Sequence, residues 1–482
     1  MNYGMVRNII GVIMKVEGVL LALPLCVALL YAEGNYEIFI YPAALLFAIG
    51  FALSYKAPKN RIIYSREGFV IVALCWIAIS IFGSIPFQMS GYFPSYIDSL
   101  FETISGFSTT GSTILETVEI LPNSLLFWRA LTQWVGGMGV LVFVLAVAPL
   151  AGERSLHLMR AEMPGPTIGK MTPRLRSTAK ILYGIYIALT VILALLLALA
   201  DMPLFDSIMY SMSTARTGGF SINNASIAFY DSAYIEGLLT LFMLLFSLNF
   251  NLFYLVLIGH LKQAVRSSEL RTYIGIIIGA VLLMTISLRS VYGNIFEALR
   301  HAAFQVISVI STTCYSIADY NLWPELSKNI ILLLMFIGAC AVSTGGGIKI
   351  ARLLILAKTA VREIKRLAHP RSVSRIVIDG KTVEEETIGA TGVFFIIYVA
   401  IIFISFLILS LDGFDFVTTL SSVVACLNNI GPGLGAVGPM SNFSAYSGAS
   451  KITMLFLMLA GRLEVFPMMM LFMPGIWKRT AK

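Results

Sequence analysis

Ser108-Thr109-Thr110-Gly111-Ser112 is the first of four related short stretches; the others are Thr217-Gly218-Gly219-Phe220, Thr312-Thr313-Cys314-Tyr315 and Asn429-Ile430-Gly431-Pro432. Each follows a moderately apolar segment too short to cross a bilayer and sits between two longer segments able to cross one. With Gly111, Gly219, Cys314 and Gly431 as reference, a small residue stands six places upstream every time: Ser105, Ser213, Ser308 and Ala425. The first two copies also carry an aspartate thirteen places upstream, Asp98 and Asp206. The reference residues lie 108, 95 and 117 positions apart. A unit this long, recurring four times, predicts an internally repeated membrane protein with pseudo-fourfold symmetry.

Composition agrees. Of the 482 residues, 58% are hydrophobic and only 12% charged, against roughly a quarter charged in a soluble domain. The chain is therefore expected to be a polytopic membrane protein. Its net charge of +8 matters less than its placement. Basic residues cluster in alternate loops, Arg7 to Lys15, Lys56 to Arg66, Arg154 to Lys180, Lys262 to Arg271, Lys349 to Lys381 and Lys478 to Lys482, while the intervening loops are acidic. The positive-inside rule puts the basic loops and both termini in the cytoplasm, and the four short stretches facing outward. Topology accounts for the basic excess, so no nucleic-acid partner is implied. Cys26, Cys75, Cys314, Cys340 and Cys426 form no CxxC pair and are expected as free thiols. The first apolar stretch holds Lys15 and Glu17 and lacks a small-residue cleavage site, unlike a cleaved signal.

A spanning helix needs about 20 largely apolar residues. Ten segments meet that measure: 10–32, 38–56, 67–87, 124–150, 178–200, 233–261, 270–289, 327–357, 387–411 and 450–474. The first two form an N-terminal hairpin (1–60), and the rest pair into units at 61–177, 178–268, 269–386 and 387–482. Between the members of each pair lies a shorter stretch, at 94–107, 203–216, 295–311 and 414–428. At about 1.5 Å per residue such a piece reaches only partway through the bilayer. The loop after it cannot face lipid, where each unpartnered backbone group costs several kcal/mol. Four such loops around one axis bury one another. The expected fold is an all-α integral membrane protein: four helix–pore-helix–helix repeats around a central pore, plus the hairpin.

A dehydrated alkali cation needs oxygens in place of water, and rings of backbone carbonyls supply them. Inward-pointing carbonyls require unusual backbone angles, which glycine reaches without steric cost. Each short helix also aims its negative end at the axis. The filter candidates are Thr109, Thr110 and Gly111; Thr217, Gly218 and Gly219; Thr312, Thr313 and Cys314; Asn429, Ile430 and Gly431. One copy alone reads as an ordinary turn; four in phase read as a cation filter.

These strings are recognisable. Phe101-Glu102-Thr103-Ile104-Ser105-Gly106-Phe107-Ser108-Thr109-Thr110-Gly111, Gln133-Trp134-Val135-Gly136-Gly137-Met138-Gly139, Thr217-Gly218-Gly219-Phe220-Ser221, Ser343-Thr344-Gly345-Gly346-Gly347-Ile348-Lys349, Asn428-Asn429-Ile430-Gly431-Pro432-Gly433 and Gly461-Arg462-Leu463-Glu464 resemble, in this order, the potassium-translocating subunits of the TrkH/TrkG/KtrB family. The N-terminal hairpin is similar to the TrkH branch. The resemblance implies K+ as the bound and transported ion, no other cofactor in this chain, a homodimer with one pore per subunit, and a cytoplasmic ring of RCK-type, nucleotide-binding TrkA subunits. One departure stands out. Cys314 occupies a usual glycine position, either in a left-handed backbone at a cost of roughly 1–2 kcal/mol or in a permitted region at none.

Charges and breaks inside the spans add expectations. Arg462 should face protein or a wet cavity. Spacing alone leaves it either paired with a carboxylate, such as Glu464 of another repeat or subunit, or lining the pore; the resemblance implies an electrostatic barrier below the filter. Ser343, Thr344, Gly345, Gly346 and Gly347 should break their helix, as a passive kink, as a packing point or, as the resemblance implies, as an intramembrane gate, with Lys349 anchoring the next helix at the inner surface. Gly136, Gly137 and Gly139 suggest close helix packing. Trp128 and Arg129 suggest an outer interface belt. Arg216 is expected to point away from the mouth and pair with an acid such as Asp98 or Asp206, and Glu102 either to hold the first pore helix through hydrogen bonds or to help attract cations. In the cytoplasm, Arg362, Lys365 and Arg366 suggest a basic helix and Ser374 to Val383 a hairpin turning at Asp379-Gly380. These, with the loop 151–177 and its Pro164, Pro166 and Pro173, form either a solvated linker or a docking surface for the ring.

Other classes fare worse. There is no HExxH, P-loop or GxSxG; His157, His260, His301 and His369 are far apart, and Gly165 to Met171 is one residue short of a Walker loop. An enzyme is not expected. An H+- or Na+-coupled symporter remains, since Glu102 and Glu464 keep proton coupling open, as does a weakly selective K+/Na+ transporter on account of Cys314.

Overall fold

A computed structural model describes residues 1–56, 65–137, 175–371 and 374–477. Gly139, the loop 151–177 up to residue 174 with Pro164, Pro166 and Pro173, the stretch Gly165 to Met171, the second half of span 124–150 and basic residues 478–482 lie outside the described residues. The described chain is helical almost throughout. Six of its helices are long and apolar enough to cross a membrane: Tyr3–Leu30, Glu37–Ser54, Glu67–Ser90, Ile181–Ala198, Ser268–Tyr292 and Glu385–Asp412. The first two form the hairpin expected from the sequence. They meet closely at Gly11 and Gly50, where a Cβ added to either would lie 2.8 Å from the other's carbonyl oxygen. The remaining four lead into the four repeats.

Each is followed by a short helix: Tyr96–Ser108, Leu204–Ala215, Ile295–Ile310 and Phe416–Leu427. Local chemistry starts them. Ser95 accepts from the Asp98 amide at 3.2 Å, Asn294 from Phe296 at 3.0 Å, and Asp415 from Val417 at 3.1 Å, each a side-chain cap on an orphan amide. The second begins after Pro203, with Asp206 in its first turn.

The helices that return after these short ones depart from expectation. Instead of spans over 233–261, 327–357 and 450–474, the chain forms Ala233–Ser247, Glu325–Ile337 and Gly448–Arg462, too short for a hydrocarbon core of about 30 Å. The first bends by 92° into Phe250–Leu257. The second stops at Gly338 and resumes at Ile350, so the break is wider than Ser343 to Gly347. The third stops before Glu464 and Val465, both left-handed (φ 58° and 66°), and resumes at Phe466. No proline or glycine marks the first of these, whereas Pro467 opens the helix that resumes after the last. The groups freed at the first find partners from the 338–349 loop: Phe250 N–H donates to Val342 O at 3.2 Å and Cys340 N–H to Ser247 O at 3.2 Å.

Tyr3 Oη donates to Trp477 O at 2.6 Å, so the two ends of the described chain share a face. On the basic helix Ile350–Ala368, the hairpin Val377–Ile378 with Lys381–Thr382 forms as expected, turning at Asp379 and Gly380 (φ 50° and 75°). Its Ile376, Ile378 and Val383 pack with Ile355 and Ile388, and Asp379 accepts from the Ser268 amide at 2.6 Å.

Candidate functional site

The four loops close into a ring. A Cβ added to Gly111 would overlap the Gly218 carbonyl oxygen, one on Gly219 the Thr313 oxygen, and one on Gly431 would lie 2.7 Å from Thr110 O. Ser112 Oγ donates to Gly431 O at 3.1 Å and Asn429 Nδ2 to Thr110 Oγ1 at 3.0 Å. The third and fourth repeats join just beyond, where Tyr320 Oη donates to Gly433 O at 3.0 Å and Asn321 Nδ2 to Gly435 O at 3.0 Å.

All four copies share one backbone pattern. Thr109, Thr217, Thr312 and Asn429 are left-handed (φ 63°, 51°, 63° and 54°), and so are Gly111, Gly219, Cys314 and Gly431 (φ 80°, 73°, 54° and 104°), while the residue between them is not. Alternating hand turns successive carbonyls towards one side of the strand, the arrangement a carbonyl-lined filter needs. Cys314 therefore takes the strained option and carries a Cβ where the other copies have none.

The recurrent small residue proves to be the anchor of each loop. The carbonyls of Ser105, Ser213, Ser308 and Ala425 accept from the amides of Thr110, Gly218, Thr313 and Ile430 at 2.9–3.0 Å. The three serine hydroxyls donate to Ser112 O, Phe220 O and Tyr315 O at 2.5, 3.1 and 2.6 Å. In the fourth copy Ser421 Oγ does this work, donating to Leu434 O at 3.2 Å.

Behind the ring stand supports to which the sequence assigned other roles or none. Gln133 donates to Gly218 O at 2.6 Å and accepts from Ser213 Oγ at 2.6 Å; a fully buried amide in an apolar span was the available signal. Trp128 and Arg129 are buried, not an interface belt. Trp128 donates to Gly83 O at 3.0 Å, and Arg129 pairs with Glu102 at 2.7 Å. Glu102 also accepts from Thr113 Oγ1 at 3.0 Å, so it holds the first pore helix, as expected. Gly136 and Gly137 are packing positions: a Cβ there would overlap the Phe107 carbonyl and the Arg216 side chain.

Arg216 pairs with neither expected aspartate. Asp98 is bound to Lys451 at 2.7 Å, and Asp206 accepts from Tyr230 Oη at 2.6 Å. The guanidinium runs beneath the ring instead, donating to Thr109 Oγ1 at 2.9 Å and Thr344 O at 3.4 Å. The 338–349 loop lies against the same end of the ring. Gly346 N–H donates to Thr312 Oγ1 at 2.8 Å, and a Cβ on Gly346 would overlap Asn428 O. Gly346 is thus required by close approach to the ring, and Gly345 by Ala339 of its own loop and the Ser311 carbonyl. Elsewhere the loop is fastened by Ala341 N–H to Glu269 Oε1 at 2.6 Å, Thr344 Oγ1 to Phe246 O at 3.0 Å, and Ser343 Oγ to Cys340 O at 2.6 Å. Lys349 is buried and donates to Gly345 O; it is no surface anchor. Glu464 pairs with Arg352, whose guanidinium lies 4.0 Å from the Phe394 ring, while Arg462 donates to Gly136 O at 3.2 Å.

A family described as TrkH, cation transport protein, matches residues 37–479. The chain belongs to the TrkH family. It is 38% identical over 484 residues to the Trk system potassium uptake protein TrkH of Salmonella typhimurium, covering 99% of this chain and 100% of that protein. It is 34% identical over 464 residues to the Trk system potassium uptake protein TrkG of Escherichia coli, covering 94% of each. Among solved structures, the potassium transporter TrkH from Vibrio parahaemolyticus superposes with a TM-score of 0.88 at 34% identity, over 99% of this chain and 100% of that one. Membership makes the chain a membrane transport protein and not an enzyme, and the likeness extends to the whole architecture.

Proposed function

We propose that the chain takes up K+ across the cytoplasmic membrane through a channel-like pore. Its filter is the carbonyl ring of Thr109, Thr110 and Gly111, Thr217, Gly218 and Gly219, Thr312, Thr313 and Cys314, and Asn429, Ile430 and Gly431. The observation that carries this reading is that the first and third positions of all four triplets are left-handed and the middle one is not, supported by the names of the relatives. K+ is held at Thr109, Thr110, Thr217, Gly218, Thr312, Thr313, Asn429 and Ile430. The gate is Ser343 to Gly347, pressed against the inner end of the ring, together with Arg462. The units are the hairpin 1–60 and the repeats 61–177, 178–268, 269–386 and 387–482, with both termini cytoplasmic. The chain works as a homodimer in lipid, and a TrkA-like, nucleotide-binding ring acts from the cytoplasm on the 376–383 hairpin and its basic helix. Channel-like conduction is favoured over proton symport because Glu102 and Glu464 are both committed to arginines.

Reconstituted protein should carry K+ current under applied voltage with no pH or Na+ gradient, and the current should rise when the cytoplasmic ring and nucleotide are added. Flux that requires an opposing or parallel H+ or Na+ gradient would overturn the reading. Cys314 bears on selectivity, since its side chain strains one quadrant by roughly 1–2 kcal/mol. Cys314→Gly should raise the K+ over Na+ permeability ratio, measured from reversal potentials in mixed-ion liposomes; an unchanged ratio removes that role.

A further inference from the structure

We propose that Arg216 is a tethered cation that competes with K+ for the Thr109 hydroxyl at the inner end of the filter and ties it to the gate loop. This inference rests on the filter and gate reading above.

Arg216 follows the second pore helix as its C-terminal cap, and its side chain is fully buried. It crosses beneath the ring to the first loop, where Nη2 meets Thr109 Oγ1 at 2.9 Å. That hydroxyl spends its own proton on Ser108 O at 2.5 Å, which leaves its lone pairs for a cation. Nη1 reaches Thr344 O, inside the gate loop, at 3.4 Å. The route is prepared, because any residue larger than Gly137 would overlap Arg216 Cδ.

A guanidinium stays charged at every physiological pH. Burying it needs a compensating field. The negative ends of the four pore helices supply one at this point, the same field that would favour an incoming K+. The two cations therefore draw on the same Thr109 hydroxyl oxygen and the same dipoles. Displacing the gate loop withdraws Thr344 O and loosens Arg216. Ion entry at the inner ring and loop displacement then favour each other, as linkage requires.

The test is K+ flux against K+ concentration in liposomes holding the full chain, with Arg216→Gln and Arg216→Lys beside wild type. Losing one charged hydrogen-bond partner should lower the half-saturating K+ about tenfold in Arg216→Gln, with Arg216→Lys near wild type at neutral pH. A buried lysine loses its proton more readily than arginine, so raising the pH should move Arg216→Lys towards Arg216→Gln. Tyr186, Lys349 and Arg462 also lie within electrostatic reach of this region, so each pH series is read against wild type. The lysine pH series stands alone if Arg216→Gln does not fold. Half-saturation unchanged in a folded Arg216→Gln, or a pH response of Arg216→Lys equal to that of wild type, overturns the proposal. Absence of saturable K+ flux in wild type would instead sink the filter reading itself.

Discussion

Gly219→Ala should reduce K+ flux at least about a hundredfold while leaving the protein folded. The added Cβ would overlap the Thr313 carbonyl oxygen and lie 3.2 Å from the carbonyl carbon. Both atoms are backbone, so no side chain can swing aside. The residue also sits at φ 73°, which costs an L-residue roughly 1–2 kcal/mol, and overpacking adds about 1–3 kcal/mol. The strain falls on the junction of the second and third loops. It leaves the anchors of the second loop, Ser213 and Gln133, in place, so distortion should concentrate in the ring. A displacement of the Thr313 oxygen by even half an ångström changes how a dehydrated ion is coordinated. The matched control is Gly184→Ala, in a helix where a new Cβ meets nothing within 4 Å; it should be neutral or slightly stabilising. Flux through both variants in liposomes, with elution behaviour in detergent as the check on folding, decides the matter. Wild-type flux in Gly219→Ala would mean that the ring is not the conducting path.

The ring was legible in the sequence because its determinants are local. A half-length apolar helix, a small residue at a fixed offset and a left-handed position are written in consecutive residues, and the serine offset has a direct cause in the carbonyl and hydroxyl of Ser105, Ser213 and Ser308. The Asp379-Gly380 turn was readable for the same reason. What surrounds the ring was not. Arg129, Arg216 and Lys349 look like surface charges, and only the fold brings Glu102, Thr109 and Gly345 to meet them. The broken return helices were hidden too. Leu248 and Asn249 carry no breaker, and the second repeat's return helix ends there because the third repeat's loop completes its hydrogen bonds. The triple glycine was seen, but its reason lay elsewhere: Gly346 must fit beneath Asn428 O.

Arg129→Met should destabilise the protein by about 3–5 kcal/mol, the usual cost of leaving a buried ionised partner alone. Glu102 is fully buried and accepts from Arg129 Nε at 2.8 Å, Thr113 Oγ1 at 3.0 Å and Ile114 N–H at 3.3 Å. One carboxylate thus ties the first short helix to the strand leaving its own loop. Arg129 carries the tie onward, donating to Ser221 O at 3.1 Å and lying 4.2 Å from the Phe220 ring, both just past the second loop. The pair therefore fixes the spacing of two neighbouring quadrants from their outer side. Removing only the arginine leaves the buried carboxylate without its charged partner, held by Thr113 and the Ile114 amide alone. Removing both, as Glu102→Leu with Arg129→Met, should recover much of the lost stability, because desolvation of the ions disappears with them. A double-mutant cycle on thermal or denaturant unfolding in detergent measures the coupling. Coupling below about 0.5 kcal/mol, the level at which independent sites simply add, would show that the pair is not a staple. If the coupling is large and the double variant is stable but less selective, the ion pair serves mainly to set the geometry of the ring, and its stabilising effect is secondary.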